Sequence, residues 1–146
     1  MAPNPNVDFV SGAILTAAQQ NQFPRGIMAY STISTVGLNT TLADLGLSVT
    51  FTAVANRYYK YTFYGYAANS TSAGTMETYI TDSFNDIKGS LNLYVPGSGE
   101  YSFQHLVYVS TETAGLVTRK VRAKCQAGVG TLFDPIYLFV EDLGPA

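Results

Sequence analysis

Few side chains of this 146-residue chain could perform acid–base chemistry. His105 is the single histidine, so a Ser-His-Asp site would have to be built on it. It alternates with Phe103 and Val107 on one face of a predicted strand, where a buried or half-buried structural histidine is the usual case. Glycoside hydrolysis needs two carboxylates across a cleft, and sequence spacing pairs none of the Asp and Glu residues. We therefore expect a protein that is not an enzyme, with no catalytic residue.

Metal and cofactor chemistry has equally little support. The segment Asp82–Asp86, DSFND, places three oxygen donors close together, as calcium prefers. The same residue types are ordinary in turns, and the segment has neither EF-hand spacing nor a central glycine. Cys125 is the single cysteine, which excludes an internal disulfide and predicts a buried free thiol. We expect no metal and no cofactor.

Tyrosines are the best recognition candidates, since five of them lie between Tyr58 and Tyr66. Alternation places Tyr59, Tyr61 and Phe63 on one face of a strand. If that face enters the core, the opposite face is exposed aromatic surface, with a large contact area and polar tips. Cross-strand packing, a subunit interface and stacking on sugar rings all remain open for it. The residues of this possible recognition face are Tyr58, Tyr64 and Tyr66.

Basic side chains at Lys120, Arg122 and Lys124 share one face of another predicted strand, while Arg119 points the other way. They could form a solvated face, protect a sheet edge from wrong pairing, or meet an acidic partner. The net charge of −2 gives no case for nucleic acid as a partner. No apolar run is long enough to span a membrane, and no secretory signal is recognisable, so we expect no membrane partner.

Short strands must position these residues, because nearly all of the chain after Gly26 alternates between apolar and polar side chains. The predicted strands cover residues 27–33, 47–53, 58–67, 75–81, 87–95, 100–110, 116–125 and 133–140. Strands 47–53 and 58–67 are predicted to form an antiparallel hairpin about a turn at Asn56-Arg57. Eight short strands without a long helix favour one antiparallel β-sandwich of jelly-roll type over residues 26–146.

Residues 1–25 differ from that body and are predicted to form an N-terminal attachment arm with one short helix. Thr16 and Gln19 make a capping box before a helix of about seven residues, Ala17 to Phe23. Pro24 ends it. So short a helix needs a surface to hold it, either on its own domain or on a neighbouring subunit. The predicted assembly residues are Ile14, Leu15, Phe23 and Arg25.

Composition agrees with an assembled or extracellular protein. Charged residues make up 12% of the chain, against about 25% in ordinary soluble domains. Apolar residues make up 47%, so disorder is not expected. The polar surface comes instead from Thr, Ser, Asn and Gln.

Four segments carry a resemblance to accessory virion proteins of tailed bacteriophages, of the minor tail, fibre or head-decoration type. They are SGAILTAAQQNQFPRGIMAY near the start, NRYYKYTF at residues 56–63, the stretch Met76–Asp82, and the closing YLFVEDLGP. The resemblance implies a β-sandwich displayed on a particle and attached through its N-terminal segment.

Two functions follow as expectations. The first is a non-enzymatic virion structural protein, assembled in the host cytoplasm, whose partners are capsid, neck or tail proteins. It would be a homo-oligomer, with trimers suggested by family analogy. The alternative is a carbohydrate-binding or host-receptor-binding β-sandwich module, with a glycan as its partner.

Overall fold

The computed structural model describes residues 14, 17–21, 23–69, 74–95 and 100–146. The elements in chain order are α1 (Ala17–Gln20), β1 (Gly26–Ile33), β2 (Val36–Leu38), β3 (Ala43–Ala53), β4 (Arg57–Asn69), β5 (Gly74–Asp82), β6 (Ile87–Val95), β7 (Ser102–Thr111), β8 (Gly115–Cys125) and β9 (Gly130–Pro145). Within the described residues, no helix is long and apolar enough to cross a membrane.

Two antiparallel sheets form a sandwich. Sheet I has the strand order β1-β9-β4-β7, and the short β2 pairs with β9 beside β1. Sheet II has the order β3-β8-β5-β6. Most connections therefore cross from one sheet to the other, which is the connectivity of a jelly roll. The predicted all-β, antiparallel jelly-roll sandwich is confirmed.

The predicted hairpin between strands 47–53 and 58–67 is wrong. β3 and β4 lie in different sheets, and β5–β6 is the pair of consecutive strands that forms a hairpin. The turn between β3 and β4 carries the chain across the sandwich, with Asn56 in the left-handed region at φ 59°. The Tyr59 hydroxyl accepts a hydrogen bond from the Val54 amide at 2.8 Å and fixes that crossing. A turn signal alone does not say whether the next strand pairs or crosses.

The core lies between the sheets and follows the predicted alternation on β4. Tyr59, Tyr61 and Phe63 are fully buried, and the ring of Phe51 on β3 lies 5.0 Å from that of Tyr59 and 6.2 Å from that of Tyr61. Burial of large aromatic side chains contributes roughly 1.5–3 kcal/mol each. The side chains on the opposite face of β4 therefore point away from the core.

One buried ionic network joins the sheets at their β7–β8 end. Arg119 donates two hydrogen bonds to the Glu112 carboxylate, each 2.6 Å long. Tyr61 donates to the same carboxylate at 2.7 Å. Burial, and then this contact with Glu112, raises the pKa of Tyr61 far above its ordinary value. Arg119 points inward, as predicted, and its guanidinium meets the Glu112 carboxylate there.

Cys125 is a buried free thiol, as predicted. Burial raises its pKa, with the amide of Gly130 acting in the opposite direction. A Cβ added to Gly130 would collide with the Cys125 sulfur, so β8 and β9 approach each other closely here.

The N-terminal segment is fastened to sheet I by Arg57 of β4. Its guanidinium donates to the carbonyls of Asn21 and Phe23, the latter at 2.6 Å, and pairs with buried Asp142 at 2.7 Å. The predicted seven-residue helix is not seen, since the helical turn α1 ends at Gln20.

Candidate functional site

The outer side of sheet I brings aromatic residues from three adjacent strands into register. Tyr64 of β4 lies opposite Tyr137 of β9 on one side and His105 of β7 on the other. The next outward position on β4, Tyr66, lies opposite Phe133 of β9 and Phe103 of β7. Directly opposed side chains in a sheet are close enough to touch, so two neighbouring rows of rings cross these strands.

Five of these rings form a continuous surface, which we name the aromatic face: Tyr64, Tyr66, Phe103, His105 and Tyr137. Ring centroids are 4.7 Å apart for Tyr64–Tyr137, 6.0 Å for Tyr64–Phe103, 5.5 Å for Tyr66–Phe103 and 5.9 Å for Phe103–His105. These spacings lie within the range of favourable aromatic contacts. The rings therefore support one another as one surface.

Much of the aromatic face is open to solvent. Phe103 is 50% exposed and Tyr66 is 42% exposed, although both are large apolar side chains. Tyr101 and Phe133 stand beside them with a centroid distance of 5.3 Å, and Tyr101 is also exposed. Exposed aromatic patches of this kind mark interaction sites in soluble proteins.

Polar groups border the rings. The β4–β9 register shifts between Tyr64 and Tyr66, and the exposed Asp134 of β9 follows Phe133, which lies opposite Tyr66. Further along the same strands, Lys60 and Glu141 form an ion pair at 2.5 Å. Burial, and then the neighbouring Tyr137, raises the pKa of Tyr64. The site thus combines apolar rings with donors and acceptors at their edges.

The structure brings together two of the three predicted recognition residues. Tyr64 and Tyr66 both contact Phe103 on the aromatic face. Tyr58 lies six residues from Tyr64 along β4, roughly 20 Å away, with the Lys60–Glu141 pair between them. Tyr58 therefore does not belong to the aromatic face.

The expectation that His105 is buried or half-buried is wrong. Gln104 and Leu106 are the buried residues here, and His105 is exposed on the aromatic face. Both faces of β7 carry large apolar side chains, so alternation alone did not show which face enters the core. The strand order decides it, because β7 pairs with β4 through Tyr64 opposite His105.

Sequence reasoning missed the contributions of β7 and β9 to this surface. A signal exists in β9, where the buried aliphatic residues Ile136, Leu138 and Val140 alternate with the less buried aromatic residues Tyr137 and Phe139. That pattern indicates aliphatic side chains inward and rings outward.

The outer side of sheet II is different in character, because its charges are paired with one another. Lys120 lies 3.3 Å from Asp44, and Lys124 lies 3.2 Å from Glu77. Arg122 donates to the carbonyl of Leu42 at 3.2 Å. The strand that carries them, β8, is central in sheet II, so the expectation that these charges protect a sheet edge is wrong.

The Asp82–Asp86 segment is a hydrogen-bonded turn. Asp82 accepts hydrogen bonds from the amides of Phe84 and Asp86, each at 2.9 Å, and pairs with Lys88 at 3.1 Å. Burial acts to raise the pKa of Asp82, but Lys88 and those amides outweigh it and lower the pKa. Throughout the described part of the chain, no three His, Cys, Asp or Glu residues are grouped to hold a metal ion.

The predicted assembly residues that the structure describes are exposed on the sandwich. Ile14 is 93% exposed and Phe23 is 38% exposed, so neither is buried by the described sandwich. Arg25 donates to the Asn21 side chain at 3.2 Å and lies 3.9 Å from Asp142. Leu15 and Thr16 lie outside the described residues.

Comparison with known proteins gives no family. No family model matches the chain, and no curated protein matches it. Among solved structures, the chain is similar to the EclA C-terminal domain, a sugar-binding protein, with 13% identity and a TM-score of 0.45. That alignment covers 96% of this chain and 89% of the EclA domain.

Two further similar structures are carbohydrate-binding modules. One is a family 6 module from Clostridium cellulolyticum in complex with xylose, with 16% identity, a TM-score of 0.37, and coverage of 82% of this chain and 92% of that one. The other is TmCBM61 in complex with β-1,4-galactotriose, with 14% identity, a TM-score of 0.38, and coverage of 83% and 92%. Identities and TM-scores this low do not extend those ligands to this chain.

Proposed function

We propose that this chain is a non-catalytic binding module that binds a carbohydrate on its aromatic face. The observation that carries the proposal is the set of five connected rings on the outer side of sheet I, two of which are about half exposed. A soluble domain seldom leaves such a surface without a ligand or partner.

Carbohydrate chemistry suits this surface. A sugar ring presents C–H groups on its flat faces and hydroxyl groups around its rim. The rings of Phe103 and Tyr66 can cover the C–H faces, since both are apolar rings that are about half exposed. The Tyr64 hydroxyl, the His105 imidazole and the Asp134 carboxylate can exchange hydrogen bonds with sugar hydroxyls. Apolar rings with a few polar groups at their edges are the usual composition of small-molecule sites.

The first experiment is a glycan array probed with the purified chain, followed by calorimetric titration of an oligosaccharide that binds. We expect Tyr64→Ala and Phe103→Ala each to weaken binding at least about tenfold, or about 1.4 kcal/mol. The matched control is Tyr94→Ala, which removes a tyrosine that is 64% exposed on the other sheet. Binding that survives both face variants would overturn the proposal.

Folding of the variants must be checked separately. Phe103 is half exposed, so its removal should cost far less than the roughly 3–5 kcal/mol of a buried Phe. Tyr64 is more enclosed, and its variant is compared with wild type by thermal unfolding. A loss of binding in folded Phe103→Ala protein then reports on the face itself.

A second candidate function is a virion structural role through the N-terminal arm. The observation that favours it is that Ile14 and Phe23 are exposed on the described sandwich. Apolar side chains left open beside a fastened segment can be buried by a neighbouring protein, each contributing roughly 1.5–3 kcal/mol if fully buried. The proposed partners are capsid, neck or tail proteins of a phage particle.

The test is removal of residues 1–20, which keeps the Asn21 and Phe23 carbonyls that Arg57 binds. The truncated chain should fold and bind oligosaccharide normally but fail to join particles. Normal incorporation of the truncated chain would rule the arm out as the attachment element.

A further inference from the structure

The free edges of the two sheets differ in how they discourage pairing with another chain. In the described sandwich these edges are β1 with β2 and β7 in sheet I, and β3 and β6 in sheet II. Unpaired N–H and C=O groups at a sheet edge can pair with a strand of another chain. Bulges and charged residues at the edge normally prevent such pairing.

Three of the four edges carry such features. The β1 register shifts between Ile27 and Ala29, and the β3 register shifts between Asp44 and Ser48 beside a carboxylate. The β6 register shifts where Lys88 interrupts its pairing with β5. Each irregularity bends the strand locally and disturbs the spacing of its free backbone groups.

The fourth edge, β7, carries none of them. All ten residues of Ser102–Thr111 pair with β4 in unbroken register. The strand contains no Asp, Glu, Lys, Arg, Pro or Gly. Its outward side chains Val107 and Val109 are 46% and 47% exposed. β7 is therefore a long, regular, uncharged edge with an apolar outer margin.

The core holds this edge in place. Gln104 and Leu106 are buried, and the ring of Tyr108 stacks on Tyr61 with a centroid distance of 5.9 Å. A Cβ on Gly89 of β6 would lie 3.1 Å from the Cβ of Tyr108, so sheet II packs closely against the inner side of the strand. This packing holds β7 in its extended form within a single copy of the chain.

We propose that β7 pairs antiparallel with β7 of a second copy of this chain. Such a twofold pair joins the two copies of sheet I into one continuous sheet across the axis. Antiparallel self-pairing opposes no like-charged Asp, Glu, Lys or Arg side chains, because β7 has none. Val107 and Val109 of one copy would pack against outward β7 side chains of the other copy. The same residues then form both halves of the interface, as a twofold dimer requires.

The dimer is independent of the carbohydrate proposal, but it would enlarge the binding surface. Phe103 and His105 lie on β7 itself, so pairing would bring the two aromatic faces side by side on one sheet. Two adjacent sites on one dimer gain effective concentration for a polymeric ligand. Loss of carbohydrate binding with an intact dimer, or the reverse, would separate the two proposals.

The test is the molar mass of the full chain in solution, measured by light scattering and sedimentation equilibrium over a dilution series. We expect wild type to approach twice the chain mass of 15.7 kDa. The variant V107K/V109K should raise the dimer dissociation constant at least about a hundredfold, because it places like charges opposite one another across the interface. The matched control T52K/S90K adds two lysines to exposed positions on sheet II and should remain dimeric.

A second measurement keeps the proposal testable if V107K/V109K does not fold. Single cysteines at His105, Val107 and Val109 are treated with a short bis-maleimide, with wild type as the control because Cys125 is buried. One position near the axis should cross-link strongly, and yield should fall with distance from it along the strand. A monomeric wild type, a dimer unaffected by V107K/V109K, or equal cross-linking at all three positions would each overturn the proposal.

Discussion

The outer sides of the two sheets belong to one sandwich but differ in the side chains that they carry. On sheet II, Lys120 pairs with Asp44, Lys124 pairs with Glu77, and the hydroxyls of Thr50 and Thr118 lie 2.9 Å apart. On sheet I, the outer positions of β4, β7 and β9 carry rings, of which Phe103 and Tyr66 are about half exposed. Sheet II also exposes the apolar side chains Leu116 and Tyr94, but the contacts that join exposed rings into one cluster lie on sheet I.

This difference bears on which side of the sandwich gains free energy when a partner covers it. Exposed ion pairs contribute little to stability, and their charges neutralise one another. Exposed aromatic residues gain free energy when something covers them. The proposed function therefore places carbohydrate recognition on sheet I.

The largest effect of substitution should lie outside both faces, at the buried Arg57–Asp142 pair. Asp142→Ala leaves the guanidinium of Arg57 buried without its carboxylate, which should cost about 3–5 kcal/mol in the free energy of unfolding. Urea unfolding measures this cost, with Asp142→Asn as a milder control. An unchanged unfolding midpoint would show that the core does not depend on this pair.

An intermediate effect is expected at Glu77 of sheet II. The Tyr79 hydroxyl, and then Gln126 and Lys124, lower the pKa of Glu77 against the opposing effect of burial. Because the folded pKa is depressed, the stability that these contacts provide is present above the unfolded pKa and lost as pH falls through the folded one.

The variant Glu77→Gln should therefore cost about 1–2 kcal/mol near neutral pH, and the difference from wild type should shrink below about pH 4. Urea unfolding at a series of pH values measures it. A difference that is constant down to low pH would contradict the assignment to the Glu77 charge. Carbohydrate binding near neutral pH should be unchanged, since Glu77 lies on sheet II.

The smallest effect is expected at Lys120, whose ammonium pairs with exposed Asp44 at 3.3 Å. Lys120→Ala should change the free energy of unfolding by less than about 1 kcal/mol, because surface ion pairs are worth little. Thermal unfolding in low and high salt measures this change. A loss comparable to that of Asp142→Ala would show that this surface ion pair supports the fold as strongly as the buried one.

Much of the fold could be predicted from local pattern. Clean alternation placed Tyr59, Tyr61 and Phe63 in the core, and short strands without a long helix indicated a jelly roll. The strand β9 is longer than the predicted 133–140, since it continues to Pro145. In that extension β9 pairs with β4, and Asp142 meets Arg57, which is 85 residues away in sequence. Local pattern contains no information on such a contact.

The candidate site could be predicted only in part. Tyr64 and Tyr66 lie on one strand, where alternation reveals them. Phe103 and Tyr137 join them because β4 lies between β7 and β9, and that strand order is a long-range property of the fold. On β7, apolar residues at both alternating positions made the inward face ambiguous, which is why His105 was misplaced.

The central claim is that the aromatic face of sheet I binds a carbohydrate. The most direct test is calorimetric titration of an oligosaccharide identified on the glycan array into wild type, Phe103→Ala and Tyr94→Ala. We predict binding to wild type, a loss of at least about tenfold for Phe103→Ala, and affinity unchanged for Tyr94→Ala, whose residue lies on sheet II. Equal affinities for all three proteins, or a loss confined to Tyr94→Ala, would contradict the claim.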